Sequence, residues 1–373
     1  VSSSTHRDQI RVTDSLPVGS AHRIPSLDGI RAVAIACVMW AHASSTIGAT
    51  PAFLDPLWQF LPTGGFGVQI FFVLSGFLIT TLLIRERDKT GRVSLKSFYV
   101  RRAYRILPAY YTFLVVVAAL LVLNIIDVSP LLLAAAALFV RDYVPSGGSW
   151  WLGHTWSISI EEQFYLLWPL VFIKLRGPWV RRLLWVGIVL SPLVRIVTWV
   201  FIPPLRNGIE IMFHTRADAL MVGCLLAVLF ANPAFQDRAI VAIRKGLGWG
   251  ALAWIGLSVY MSHILGDSWN FTVGYLGDAL AIAVMIVWLV LRPQTVGGRV
   301  LNWAPIKHIG ILSYSLYLWQ QLFLTSKNET FLGWFPVSIL AAILVAELSY
   351  WLVEKPFLDL RARRAANSQV KAV

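Results

Sequence analysis

Two side chains suited to proton and anion chemistry, Arg31 and His42, stand eleven residues apart in one apolar run. Eleven residues make just over three helical turns, so a helix puts both on one face, about 16 Å apart along its axis. Asp28 lies one turn before Arg31. An ionisable group inside hydrocarbon is costly and marks a functional candidate. A neutral imidazole can take a proton from an alcohol, which suits a general base. The bland alternative is a packing histidine bonded to a neighbouring helix, with Arg31 extending its charge to the headgroups.

Other segments carry further candidates. Arg101, Arg102 and Arg105 open an apolar run that contains Pro108. Arg102 and Arg105 share a helical face and could grip phosphates, although a basic anchor at a membrane surface explains them equally well. Glu161 and Glu162 follow Trp156 and Ser157. Adjacent carboxylates diverge on a helix, so only one should face a given site, where it could orient or charge-balance His42. Ser75, Gly76 and Phe77 lie in the run Phe71–Leu78. Close helix packing explains these small residues better than a nucleophile does, because no Gly-x-Ser-x-Gly elbow surrounds Ser75. Arg216 and Asp218 could neutralise each other or partners on other helices, and a buried structural ion pair outranks a catalytic role.

The elements that must hold these groups are membrane helices. Of the 373 residues, 57% are hydrophobic and 14% charged, against about 25% charged in soluble domains. The mean hydropathy is +0.67. This composition excludes a disordered chain, a nucleic-acid-binding domain and an ordinary soluble enzyme. Cys37 and Cys224 both lie in apolar runs, so neither a disulfide framework nor a metal site is expected. Residues 1–24 read as a disordered polar tail without the pattern of a signal peptide.

Apolar runs long enough to cross hydrocarbon lie near 29–48, 65–84, 107–126, 158–174, 183–202, 211–231, 247–264, 273–291, 309–326 and 334–353. The run 131–140 is too short, and charge decides its status. With it left non-spanning, 26 of the 32 basic residues fall on one side. Arg141, Arg206 and Lys327 fall on the other, and Arg31, Arg195 and Arg216 lie within spans. The expected architecture is therefore all-α and polytopic, with about ten transmembrane helices and both termini cytoplasmic. Residues 25–358 form the transmembrane domain, and 359–373 a basic cytoplasmic tail.

The sequence resembles the acyltransferase-3 family of membrane O-acyltransferases. The resemblance runs through Ile24–Arg31 with His42, Phe71–Phe77, Arg102-x-x-Arg105 with Pro108, Trp156–Tyr165, Arg216-x-Asp218 with Gly223, and Ser313–Leu318. It implies transfer of an acyl group, most commonly acetyl, from acyl-CoA to a hydroxyl of a carbohydrate-containing acceptor. Such an acceptor is a cell-envelope polysaccharide or its lipid-linked precursor. His42, Arg31 and Glu161 are then the catalytic set, with Glu161 ranked ahead of Glu162. Arg102, Arg105 and Arg101 contact the donor, and Asp28, Ser75, Gly76, Phe77, Arg216 and Asp218 support the site. No permanently bound cofactor and no nucleic acid are implied. The implied location is a bacterial inner or plasma membrane. Many members have histidine where this chain has Gln320, which leaves a hydrogen-bonding role there. Some members carry an extracytoplasmic hydrolase-like domain; a stand-alone form that acts alone or with a separate extracytoplasmic transferase is expected here. A polytopic transporter or export factor is the alternative, because intramembrane His, Arg, Asp and Glu also build proton relays.

Overall fold

The computed structural model describes residues 24, 26–44, 46, 63–144, 149–175 and 177–370. The expected N-terminal tail, apart from residue 24, lies outside the described residues, as does the end of the first expected span. Among the described residues the fold is all-helical, without a strand.

Each expected span coincides with a helix. These are α1 (Leu27–Ala43), α2 (Gly64–Thr90), α3 (Leu95–Val122), α5 (Thr155–Lys174), α6 (Pro178–Phe201), α7 (Phe213–Phe230), α9 (Leu247–Leu265), α10 (Tyr275–Leu291), α11 (Ala304–Trp319) and α12 (Val337–Ser349). Two shorter helices, α4 (Pro130–Ala137) and α8 (Pro233–Arg244), lie between them. With only eight residues, α4 rises about 12 Å and cannot cross.

Six helices are long and apolar enough to cross a membrane, and a seventh joins them if α8 and α9, bent by 68°, count as one span. This is a multi-pass membrane protein. At 17 and 16 residues, α1 and α11 are short for a membrane crossing, and α5 carries two glutamates. Helix α12 does not stop at residue 353. It runs through a wider turn at Tyr350–Glu354 into a helix over Lys355–Val370. The expected C-terminal tail is thus helical up to Val370.

Local sequence explains the boundaries. The Thr63 side chain accepts a hydrogen bond from the Phe66 amide and starts α2. Gly91, at φ 74°, ends that helix. Ser94 caps α3 through the Ser97 amide. Pro108, Pro169 and Pro192 sit inside helices, which membrane helices tolerate when neighbours satisfy the freed carbonyls.

Helix α2 is the hub, packing on α1, α5, α7 and α10. Its closest neighbour is α7. A Cβ added at Gly76 would stand 2.0 Å from the Leu220 carbonyl oxygen, and one at Gly223 would stand 2.1 Å from that of Val73. Only glycine fits at either point. Similarly, a Cβ at Gly310 on α11 would meet the Asp28 carbonyl oxygen at 1.8 Å, which seats the start of α1 directly on α11. Cys37 and Cys224 are free thiols buried in this packing.

Gly76→Ala and Gly223→Ala should each push α2 and α7 apart and cost roughly 1–3 kcal/mol of stability. The check is the thermal unfolding midpoint of the detergent-purified protein, where Gly250→Ala, a helical position with open space around it, serves as the comparison.

Candidate active site

Helices α1, α2, α3, α5 and α11 line an open cavity of about 810 Å³, solvent at its mouth included. Three guanidinium groups line it: Arg31 from α1, and Arg102 and Arg105 from the first turns of α3. Arg31 is held by Asp28 at 3.0 Å, one helical turn away. A second recess shares Arg31, Leu78 and Arg105 with the cavity and continues past Asp28 and Tyr350. The opening therefore lies at the end of the bundle that carries the basic 85–105 segment, here termed the basic end.

A compact polar cluster faces these cations. Glu161 accepts hydrogen bonds from the Ser75 hydroxyl at 3.0 Å and the Tyr165 hydroxyl at 2.8 Å. The Ser75 and Tyr165 oxygens are themselves 2.8 Å apart. Residues 161 and 165 are neighbours on one helical face, and Ser75 reaches them because Gly76 lets α2 sit deep in the bundle. The Arg102 guanidinium lies 4.4 Å above the Tyr165 ring, within cation–π range.

His42 stands at the opposite end of α1 and does not line the cavity. Its Nδ1 lies 2.7 Å from Oε1 of Gln320. Its ring meets Trp150 edge-on, with centroids 5.0 Å apart. Between the cavity and His42 lie Ser157, Tyr317 and His154. The Ser157 and Tyr317 hydroxyls, both on the cavity wall, are 2.6 Å apart. Both also reach the His154 carbonyl oxygen. The His154 ring is buried against Tyr317 and Phe113. Polar groups thus run from the basic end, through the middle of the bundle, to His42.

Several expectations are corrected by these positions. Glu162 lines the cavity together with Glu161, because the cavity is wide enough to receive two side chains about 100° apart on α5. Glu161 is bound to Ser75 and Tyr165 and sits beside the arginines, away from His42. Arg101 does not line the cavity. It turns outward to Glu86 at 2.7 Å and leaves its side chain 42% exposed.

Of the two readings left open for Arg216 and Asp218, partners on other helices is the one found, since residues two apart point to different sides of a helix. Asp218 instead holds Arg195 of α6 at 2.9 Å, with both side chains fully buried. Arg195 also donates to the carbonyls of Thr215 and Phe271. Arg216 donates to Gln69 at 2.8 Å and lies 3.7 Å over the Tyr275 ring. Both residues knit α2, α6, α7 and α10 together outside the cavity. Phe77 lies outside it as well and packs on Phe230, 6.2 Å between ring centroids.

Tyr165, Tyr317 and His154 were not singled out from sequence. Tyr165 was legible, being one turn from Glu161, and so was His154, a lone histidine just before the α5 tryptophan. Among the described residues no three His, Cys, Asp or Glu side chains are grouped to hold a metal ion.

Comparison with known proteins adds an independent finding. Residues 24–353 match the acyltransferase-3 family profile, described as an acyltransferase domain. The O-acetyltransferase OatA of Staphylococcus aureus strain NCTC 8325 is 30% identical over 373 residues, covering 90% of this chain and 57% of the relative. OatA of strain COL matches to the same extent. The chain therefore spans little more than half the length of these curated relatives. No solved structure matches it.

The buried and exposed ion pairs should respond differently to mutation. Asp218→Ala strands the Arg195 charge and should cost roughly 3–5 kcal/mol, whereas Arg101→Ala should cost under about 1 kcal/mol. Thermal unfolding of the two purified variants beside the parent chain checks both.

Proposed function

We propose a hydroxyl-directed acyl transfer for this chain, which belongs to the acyltransferase-3 family. The donor is acyl-CoA, with acetyl the favoured acyl group because the curated relatives carry the name O-acetyltransferase. The acceptor is a hydroxyl of a carbohydrate-containing molecule, such as a cell-envelope polysaccharide or its lipid-linked precursor. The observation that carries this reading is the gathering of Arg31, Arg102 and Arg105 with Glu161 around one cavity at the basic end.

That arrangement suits a polyanionic donor. Arginine binds phosphates through paired, charge-assisted hydrogen bonds, and Arg102 and Arg105 stand at the cavity mouth for this role. The basic end faces the cytoplasm, where acyl-CoA is available and where positive loops are retained. Both termini lie on that side, with about ten spans crossing a bacterial inner or plasma membrane. The pantetheine arm threads the cavity past Tyr317 and carries the thioester towards His42.

His42 acts as general base on the acceptor hydroxyl. The acceptor oxygen forms a bond to the acyl carbon while the C–S bond breaks. The hydroxyl proton goes first to the imidazole and finally to the departing thiolate. Arg31 stabilises negative charge on the donor side, either at the thioester oxygen or at a CoA phosphate. Glu161, with Ser75 and Tyr165, forms a hydrogen-bonded cluster along the donor path. The acceptor comes from the far side of the membrane, or a separate extracytoplasmic transferase receives the acyl group there.

The test follows thiol release from acetyl-CoA in nanodiscs, with a panel of sugar and glycolipid acceptors. The parent chain should release CoA with the correct acceptor, and His42→Ala should not. Normal release by a stably inserted His42→Ala chain would overturn the role of His42. Arg102→Ala and Arg105→Ala should each raise the KM for acetyl-CoA about tenfold or more, the worth of a lost charge-assisted hydrogen bond. Arg101→Ala should leave that KM unchanged.

A further inference from the structure

A one-way chain of hydrogen bonds leads to Nδ1 of His42. It starts at the backbone carbonyl of Trp150, which can only accept. Nε2 of Gln321 donates to that carbonyl at 2.7 Å. With its NH₂ group turned there, Gln321 presents its Oε1 to Gln320, whose Nε2 donates to it at 3.2 Å. Gln320 in turn presents its own Oε1 to Nδ1 of His42 at 2.7 Å. An amide oxygen cannot donate, so the ring nitrogen facing it must carry the proton.

We propose that Gln321 and Gln320 are positioning residues that fix His42 in its Nδ1–H tautomer, so that Nε2 carries the lone pair that accepts the acceptor-hydroxyl proton. This inference rests on the acyl-transfer reading for its chemistry and on the hydrogen-bond geometry for its direction.

The surroundings make the chain hard to reverse. Gln320 and Gln321 are both buried, at 0% and 2% exposure, so bulk water cannot substitute for a lost partner. The indole Nε1 of Trp150 donates to the Gln321 carbonyl at 2.9 Å, which ties the two segments together a second time. The same Trp150 ring stands edge-on to the imidazole and limits its rotation. Flipping either amide would set donor against donor, or acceptor against acceptor, at the next link. A histidine at position 320 could pass a proton onward. An amide cannot, and what it supplies instead is a fixed direction.

Nitrogen-15 NMR of histidine-labelled protein tests the tautomer without reference to turnover. The His42 signals are identified by their loss in His42→Ala. The neutral His42 ring should show a protonated Nδ1 and an unprotonated Nε2. A protonated Nε2 would overturn the inference, whatever the activity of the chain.

Gln320→Leu and Gln321→Met should each move His42 towards the Nε2–H form. Gln320→Glu keeps an acceptor opposite Nδ1 and should keep the tautomer. In the thiol-release assay, Gln321→Met should lower kcat on the order of a hundredfold, within the range that general acid–base catalysis supplies. The KM for acetyl-CoA should not change. An unchanged tautomer and kcat in a Gln321→Met chain with the parent thermal midpoint would also overturn the inference. If the parent chain binds acetyl-CoA but releases no thiol with any acceptor, the acyl-transfer reading fails, and the NMR result still decides the tautomer.

Discussion

The backbones of α2 and α7 touch at Gly76 and Gly223, and the rest of the interior is arranged around that contact. With no side chain between them, the two helices approach closely enough for Val73 and Leu220 to present carbonyl oxygens to the facing glycines. Ser75 is carried inward with Gly76 and reaches Glu161 on α5. On the other side of the contact, α7 presents Arg216 to Gln69 and Asp218 to Arg195. Lipid offers no water to solvate such groups, so each must find a partner inside the protein. Close helix approach is what brings those partners within reach.

The polar interior divides into two kinds of contact. The Arg195–Asp218 pair, with the carbonyls of Thr215 and Phe271, is closed and saturated. It fixes helix positions and offers little to a ligand. The cavity group is open. Arg31, Arg102 and Arg105 retain donors beyond their protein partners, and two glutamates face the same space. A polyanionic donor would complete that group, while the saturated pair holds the walls around it.

Much of this was legible in the sequence, and the misses share a physical origin. Each of the ten apolar runs falls on a helix, because hydrocarbon demands a continuous apolar segment, and six or seven of these helices are long and apolar enough to cross a membrane. The runs did not give the lengths. Capping at Thr63 and the left-handed Gly91 extend α2 well beyond its apolar run, and α12 continues through Glu354 into a charged helix. Arg31, Arg102 and Arg105 line one cavity, and Glu161, expected to orient or charge-balance His42, joins the arginines instead. Arg195 was counted as a charge within a span and given no partner, because pairing between helices 23 residues apart in sequence leaves no local signal. The same holds for Tyr317, whose partner Ser157 lies on another helix. Arg101 was misread because its neighbours share its type, whereas Glu86, 15 residues earlier, decides its direction.

The two cysteines have a practical meaning for the chemistry ascribed to this fold. Cys37 and Cys224 are the chain's only sulfhydryls, and both are buried, at 9% and 0% exposure. Neither has the partly exposed, electropositive setting of a reactive thiol. The intact protein is therefore nearly silent towards water-soluble thiol reagents. A coloured reagent added during turnover would read the released coenzyme against a protein background close to zero. A single cysteine introduced at an exposed site would stand as the one addressable label, without prior removal of the native pair.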